Sequence, residues 1–443
     1  MEWTKLLKPY RLGCAKDNCA HNPDRSEFQK DFDRIIFSPA FRRLNGKTQV
    51  FPFPQTDIIH TRLTHSLEAA SVGRSLGTIV GNEINQKDTN VLGVELGAVV
   101  CVACLAHDIG NPPLGHSGER AISEFFNSEK GEWIINTLSP AEQADFKDFE
   151  GNAMGFHILT YSNPKKTTVT GGHGLTYPTL AAFTKYPRTV LIENEQVGVS
   201  EKKPGLFQLD KSCFSEIAHE LCIPEKKEGG RWYRHPLAFL TEAADDICYC
   251  IMDLEDGYKN GMVSFTDASK LLKDISEARS GKTDISNMGN IKDEREQMGY
   301  LRAKAINSLI YQVTEVFINN EIDILQAKFD QRLCKLIESS KVMDKIIDIS
   351  ISQIYSYRQV LQIEAAGFQV LPGLLDAFLG ALKDSRKESS KKILQLIPEE
   401  YIFDYEKQPY ESIMSITTYI AGMTDTFAVD TYRTLSGIQL PNY

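Results

Sequence analysis

Residues 105–119 read Leu-Ala-His-Asp-Ile-Gly-Asn-Pro-Pro-Leu-Gly-His-Ser-Gly-Glu. They follow the apolar run Val91 to Ala106, whose length and lack of charge near its end predict a buried helix delivering His107 and Asp108. Adjacent His and Asp at a helix end can turn toward one point, offering an imidazole nitrogen and a carboxylate oxygen to a divalent cation. The Pro112-Pro113 turn stops that helix, and Ser117 to Asn127 predicts the next one, with His116 just ahead of it and Glu119 in its first turn. Three residues apart, His116 and Glu119 are close enough to face each other.

Two protein ligands rarely hold a catalytic ion, so further ligands are expected on other helical stretches. His65 opens the helical pattern Leu63 to Ile84. Asp245 and Asp246 interrupt the otherwise apolar helix Leu237 to Asn260. On that helix Asp245, Tyr249 and Asp253 fall on one stripe at i, i+4 and i+8, and Asp246 is rotated off it. A bare carboxylate pair of this kind also suits structural capping, just as a lone histidine in a helix most often satisfies a core or a surface. His21, His157, His173, His219 and His235 keep that structural reading.

Further out the pattern stays helical. An amphipathic helix is expected from Asp24 to Phe37, another from Phe149 to Leu159 carrying Glu150 and Asn152, and another from Leu175 to Tyr186 ending at Lys185. Beyond Gly261 the expected helices are Asp267 to Ala278, Glu294 to Ile318, Glu321 to Glu338 and Met343 to Ala365, with shorter pieces to Tyr432. Met1 to Pro23 reads as an arm, Phe51 to Pro54 cannot continue a helix, and Gly281 to Gly289 reads as a linker. Strand-type alternation is scarce, so the class is mainly α. The expected organisation is an N-terminal arm and basic segment over 1–60, a core over 61–260, and a helical C-terminal region over 261–443.

Composition fits a globular chain: of 443 residues, 24% are charged and 42% hydrophobic. No apolar run reads as a membrane span and Met1 to Lys5 lacks a signal-peptide core, so a cytoplasmic protein without membrane contact is expected. The nine cysteines are scattered and mostly flanked by apolar residues, as at Cys101 and Cys104, which predicts reduced thiols in the core. A net charge of −10 gives no general attraction to polyanions and no support for single-stranded DNA as a partner. A phosphate-rich substrate therefore demands a local basic pocket, for which Arg42, Arg43, Lys47, Arg62 and Lys185 are the candidates.

His, then His-Asp, then a distant Asp resembles the metal-dependent phosphohydrolases of the HD-domain superfamily. The strings FRRLNGKTQVF, TRLTHSLEAA, AHDIGNPPLGHSGE, FEGNA, LTYPTLAAFTKYPR and TEAADDICYCIMDLEDG, in this order from Phe41 to Gly257, resemble its dGTPase branch, the deoxynucleoside triphosphate triphosphohydrolases. GMTDTFAVDTYR near the C-terminus does so as well. The resemblance implies an HD-domain helical core with additional C-terminal helices, and a metal site of His65, His107, Asp108 and Asp245. It implies a divalent cation, with Mg, Mn, Co, Fe, Ni and Zn all compatible with a mixed nitrogen and oxygen donor set. It further implies hydrolysis of dGTP, and of other dNTPs, to deoxynucleoside and inorganic triphosphate, with His116 and Glu119 as the catalytic pair. By motif match Arg62 contacts substrate, Asn152 and Lys185 hold phosphates, and Gln49 and Val50 border the sugar or base. Tyr249 stacks on the deoxyribose and Asp253 accepts from the 3′-hydroxyl. The family also implies a homo-oligomer.

Two positions depart from the pattern. Thr426-Phe427 follow the MTD string where relatives often carry a basic residue, and Asn111 stands where some HD enzymes have another histidine. Two other classes share these features: an HD phosphodiesterase or 5′-nucleotidase, and a nucleotide- or single-stranded-DNA-binding sensor. The products formed from dGTP separate the first from a triphosphohydrolase, and intact His116 and Glu119 argue against the second.

Overall fold

A computed structural model describes residues 1–14, 25–49, 60–190, 198–227, 229–278 and 285–439. The chain is mainly α. Among the described residues the sheet content is one antiparallel pair, Glu225–Lys227 with Arg231–Trp232.

Two long helices set the frame, Arg62–Asn85 and Gly93–Ala106. The first starts on a capping box in which Thr61 and Thr64 satisfy each other's backbone N–H groups. The two helices pack closely because glycines line the seam. A Cβ at Gly77 would lie 2.7 Å from the Leu96 carbonyl oxygen, and one at Gly81 would lie 2.6 Å from Gly93 Cα. The near approach of these backbones puts His65, one turn into the first helix, beside His107 at the end of the second. Pro236–Lys259, started by a proline at its first turn, crosses both and brings Asp245 to the same place.

Hydrophobic burial divides into two cores. One is built from the two glycine-seamed helices, Pro236–Lys259 and Glu294–Asn319, with Leu76, Leu96, Ile247 and Leu309 fully buried. The other joins Gly115–Phe126 to Arg358–Lys383 and Pro409–Ala421 around Phe126, Phe146 and Phe378. Each such side chain contributes roughly 1.5–3 kcal/mol. The cores do not follow chain order: the helix carrying His116 and Glu119 packs with the C-terminal helices, whereas Glu294–Asn319 packs with the first core. The functional cavity lies where the two meet.

Several elements differ from the sequence reading. The opening arm is folded in: Trp3 and Leu6 are buried, Trp3 Nε1 donates to Glu321, and Arg11 pairs with Asp31 at 2.6 Å. Its burial comes from distant partners, which leave no local periodicity. The continuous helix expected over Glu321 to Glu338 is a short helix, Glu321–Leu325, and a separate turn at Leu333–Lys335. Ala327, with φ +60°, breaks it. The helix expected over Met343 to Ala365 is two, Ser340–Ile349 and Arg358–Lys383, joined by a π turn at Ser350–Ile354. Arg358–Lys383 is long and apolar enough to cross a membrane, contrary to the sequence reading, but half of its apolar window is buried in the second core. The expected linker becomes a 3₁₀ turn at Ser286–Asn290, its first residues, 281–284, lying outside the described chain.

Candidate metal and catalytic site

His107 caps the Gly93–Ala106 helix, and its Nδ1 donates to the Cys104 carbonyl at 2.6 Å. A carbonyl only accepts, so Nδ1 carries a proton, which leaves Nε2 as the nitrogen facing the cavity and available to a metal. Nε2 lies 3.3 Å from Asp245 Oδ1 and 3.5 Å from Asp108 Oδ1. His65 Nε2 is 3.1 Å from the same Asp245 oxygen. One ligand atom from each of His65, His107 and Asp245 lies within 4.8 Å of the others.

The carboxylates are held ionised. Burial alone would raise Asp108, but Arg62, whose guanidinium is 2.9 Å away, and the two histidines bring its pKa down to about 2. Burial opposes the ionised form of Asp245 as well, and Lys185 and His107 override it to hold the group well below the usual carboxylate range. Burial disfavours the His107 cation, yet Asp108 and Asp245 outweigh it and raise its pKa. Asp108 and Asp245 are therefore anionic beside two imidazoles, each with a cationic side chain as counter-charge, Arg62 and Lys185. Asp108 Oδ2 is buried with no hydrogen-bond partner, a costly condition for a carboxylate oxygen unless something positive is meant to meet it. Two imidazole nitrogens and two carboxylates, one of them with an orphaned oxygen, fit a divalent cation.

The cavity above this cluster has a volume of about 680 Å³ and is bordered by Gln49, Arg62, Asn152, Lys185 and Tyr249. His116 lies at its rim in the first turn of Gly115–Phe126, not ahead of the helix as its sequence suggests. Its Nδ1 is 2.8 Å from Glu119 Oε2, while Glu119 Oε1 accepts from the Gly151 N–H at 2.9 Å. Glu119 is buried and His116 is 71% exposed, so a fixed carboxylate orients a ring open to the cavity. The hydrogen bond and charge of Glu119 raise the His116 pKa against burial and the nearby Arg62 and Lys203. Burial favours protonated Glu119, but His116 outweighs it and holds the carboxyl below its ordinary range.

The expected residues fall into three groups. His65, His107 and Asp245 converge with Asp108 beside His107, and His116 with Glu119 borders the same cavity. Gln49, Arg62, Asn152, Lys185 and Tyr249 line it, with Gln49 Oε1 buried and unpartnered. Val50 lies outside the described residues. Asp253 does not reach the cavity: it is buried, with a pKa pushed by burial up to about 7, and accepts from the Tyr355 hydroxyl, which does reach it. Asp246 pairs instead with Arg332 at 3.7 Å.

Of the expected basic residues Arg62 and Lys185 line the cavity, and the remainder of the expected pocket does not. Arg42 is exposed and Arg43 borders a different cavity, while buried Lys47 donates to the Asn111 and Ala421 carbonyls. Its place is taken by Arg120, Lys202, Lys203, Arg332 and Lys335, which come from loops and helices distant in sequence. The signal available for the site was the Gly73, Gly77, Gly81 stripe, whose spacing of four marks a close helix contact beside His65.

The HD domain family matches residues 62–145. A deoxyguanosinetriphosphate triphosphohydrolase-like protein of Synechocystis is 40% identical, over 99% of this chain and all of its own length. One of the same name from Pseudomonas aeruginosa is 37% identical over the full length of both chains. The deoxyguanosinetriphosphate triphosphohydrolase of Yersinia enterocolitica is 29% identical over 92% of this chain and 93% of its own.

Proposed function

Because this chain belongs to the deoxyguanosinetriphosphate triphosphohydrolase-like family of HD-domain hydrolases, we propose that it hydrolyses dNTPs, dGTP among them, to deoxynucleoside and inorganic triphosphate. The observation that carries this reading is the joining, in one cavity, of the His65, His107 and Asp245 cluster with Asp108 beside it, the His116–Glu119 pair and a ring of cations. A divalent cation held by the four side chains would supply Lewis-acid charge to a phosphoryl oxygen.

The chain's own residues do the rest. Lys185, Lys203 and Asn152 border the space for the triphosphate, and Arg62 adds a guanidinium suited to phosphate oxygens. Tyr249, on a stiff helix, forms a wall against the deoxyribose that leaves no room for a 2′-hydroxyl. Gln49 Oε1 is a free acceptor for a sugar hydroxyl, and Tyr355, with its proton on Asp253, offers its oxygen as another. Water adds to the α-phosphorus, its proton passing to solvent, and the bond to O5′ breaks. The leaving oxygen takes a proton from His116, which Glu119 aims and whose protonated form it favours. A dNTP substrate suits a cytoplasmic enzyme. A homo-oligomer is consistent with the exposed Ile351, Tyr357 and Leu361.

The test is product analysis with dGTP and Mn. Equal amounts of deoxyguanosine and tripolyphosphate are expected, and orthophosphate or pyrophosphate as first product would contradict the reading.

A further inference from the structure

The MTD string near the C-terminus, Met423-Thr424-Asp425, has no role in the chemistry above, yet its aspartate is 3% exposed and lies between two arms of the site. Asp425 Oδ2 accepts from the Thr48 N–H and Oδ1 from the Leu114 N–H, each at 2.9 Å. Thr48 pairs with Thr61 in an isolated antiparallel bridge, and the Arg62 N–H donates to the Lys47 carbonyl at 3.0 Å. One oxygen thus holds the segment that carries Gln49 and braces Arg62. The other holds the turn two residues before His116.

That turn needs holding. Leu114 has φ +65°, a left-handed conformation that costs a branched side chain about 1–2 kcal/mol. Gly115 follows at φ +61°, and a Cβ there would lie 2.8 Å from the Arg62 guanidinium. Two consecutive left-handed residues therefore place Arg62 against the start of the His116 helix. Thr424 docks close beside Gly46, where a Cβ would come within 2.6 Å of its side chain, so the start of the last helix is fitted to this corner.

We propose that Asp425 is a positioning residue, a clamp from the far end of the chain that fixes the spacing between the Gln49–Arg62 side of the cavity and His116. The proposal rests on the functional reading above for its catalytic consequence, but not for its structural one. A buried carboxylate offers two acceptors at a fixed separation, and nothing smaller or neutral does so.

Asp425→Asn keeps the size but turns an NH₂ toward one of the two backbone donors. It is expected to retain wild-type cation content, to lose kcat at least about tenfold through displaced groups, and to speed amide exchange in residues 46–49 and 114–119 without affecting 66–85. Leu114→Gly removes the left-handed penalty, so the same substitution should cost less kcat in that background. If Asp425→Asn does not fold, Asp425→Glu, with both acceptors on a longer arm, should show the same two segments exchanging faster. Unchanged exchange in those segments, or an equal loss in both backgrounds, would overturn the clamp. Wild-type protein that releases no triphosphate would overturn the functional reading, leaving the exchange result to decide the role of Asp425.

Discussion

Replacing Glu119 by Gln removes one charge and leaves the size of the side chain alone. In the native site Glu119 Oε2 takes the His116 Nδ1 proton at 2.8 Å and Oε1 takes the Gly151 N–H. A glutamine satisfies one of these donors and opposes the other with its NH₂. A unit charge pair at about 4 Å is worth ~4 kcal/mol at an effective dielectric of 20 and ~1 kcal/mol in water. With the His116 ring 71% exposed, the water limit governs, and ~1 kcal/mol corresponds to about 0.7 of a pKa unit. His116 has its pKa raised, so it is protonated below that value and loses its proton as pH rises through it. As the donor to the leaving oxygen it gives kcat/KM an alkaline limb above the ordinary histidine value of about 6.5. In Glu119→Gln that limb should slide down by about 0.5–1 unit, reducing the rate at high pH roughly fivefold. Loss of orientation adds about tenfold more. Stopped assays of triphosphate release across pH, with cation content measured in parallel, read both effects. An alkaline limb that stays in place, or cation lost together with activity, would refute the assignment of this pair to proton delivery.

Other outcomes follow from the same geometry. Asp245→Ala should lose both the cation and turnover, whereas Asp246→Ala, which leaves Arg332 its pairing with Glu242, should keep both; the opposite pattern in metal analysis would exchange their roles. Tyr249→Ala should narrow the preference for dGTP over GTP by up to about a hundredfold in competing-substrate assays, since the wall against the 2′-hydroxyl is gone. Gly77→Leu should destabilise by about 1–3 kcal/mol or more, measured by chemical denaturation, because its Cβ meets the Leu96 backbone and no rotamer avoids that.

How far the sequence carried the site depended on where its residues come from. Asp245 and Tyr249 share one helix, so periodicity alone placed them on one face, and His116 with Glu119 was readable from a spacing of three. Asp253 shares the same stripe, but the stripe cannot show that Tyr355, from the turn after Ser350–Ile354, stands between it and the cavity. Lys202, Lys203, Arg332 and Lys335 are ordinary surface lysines and arginines by composition, and only the fold gathers them at one rim. Trp3 and Arg11 belong to segments too short to show periodicity, and distant partners fix them. Asp425 was visible as part of a motif, yet its contacts to Thr48 and Leu114 span more than three hundred positions.

The convergence of His65, His107, Asp108 and Asp245 on one ion is tested most directly by anomalous diffraction from crystals soaked in Mn. A single strong peak within bonding distance of both Nε2 atoms and both carboxylates is the expected result. A peak centred on Asp246 or on Glu119 and Glu150, with none among the four, would contradict it.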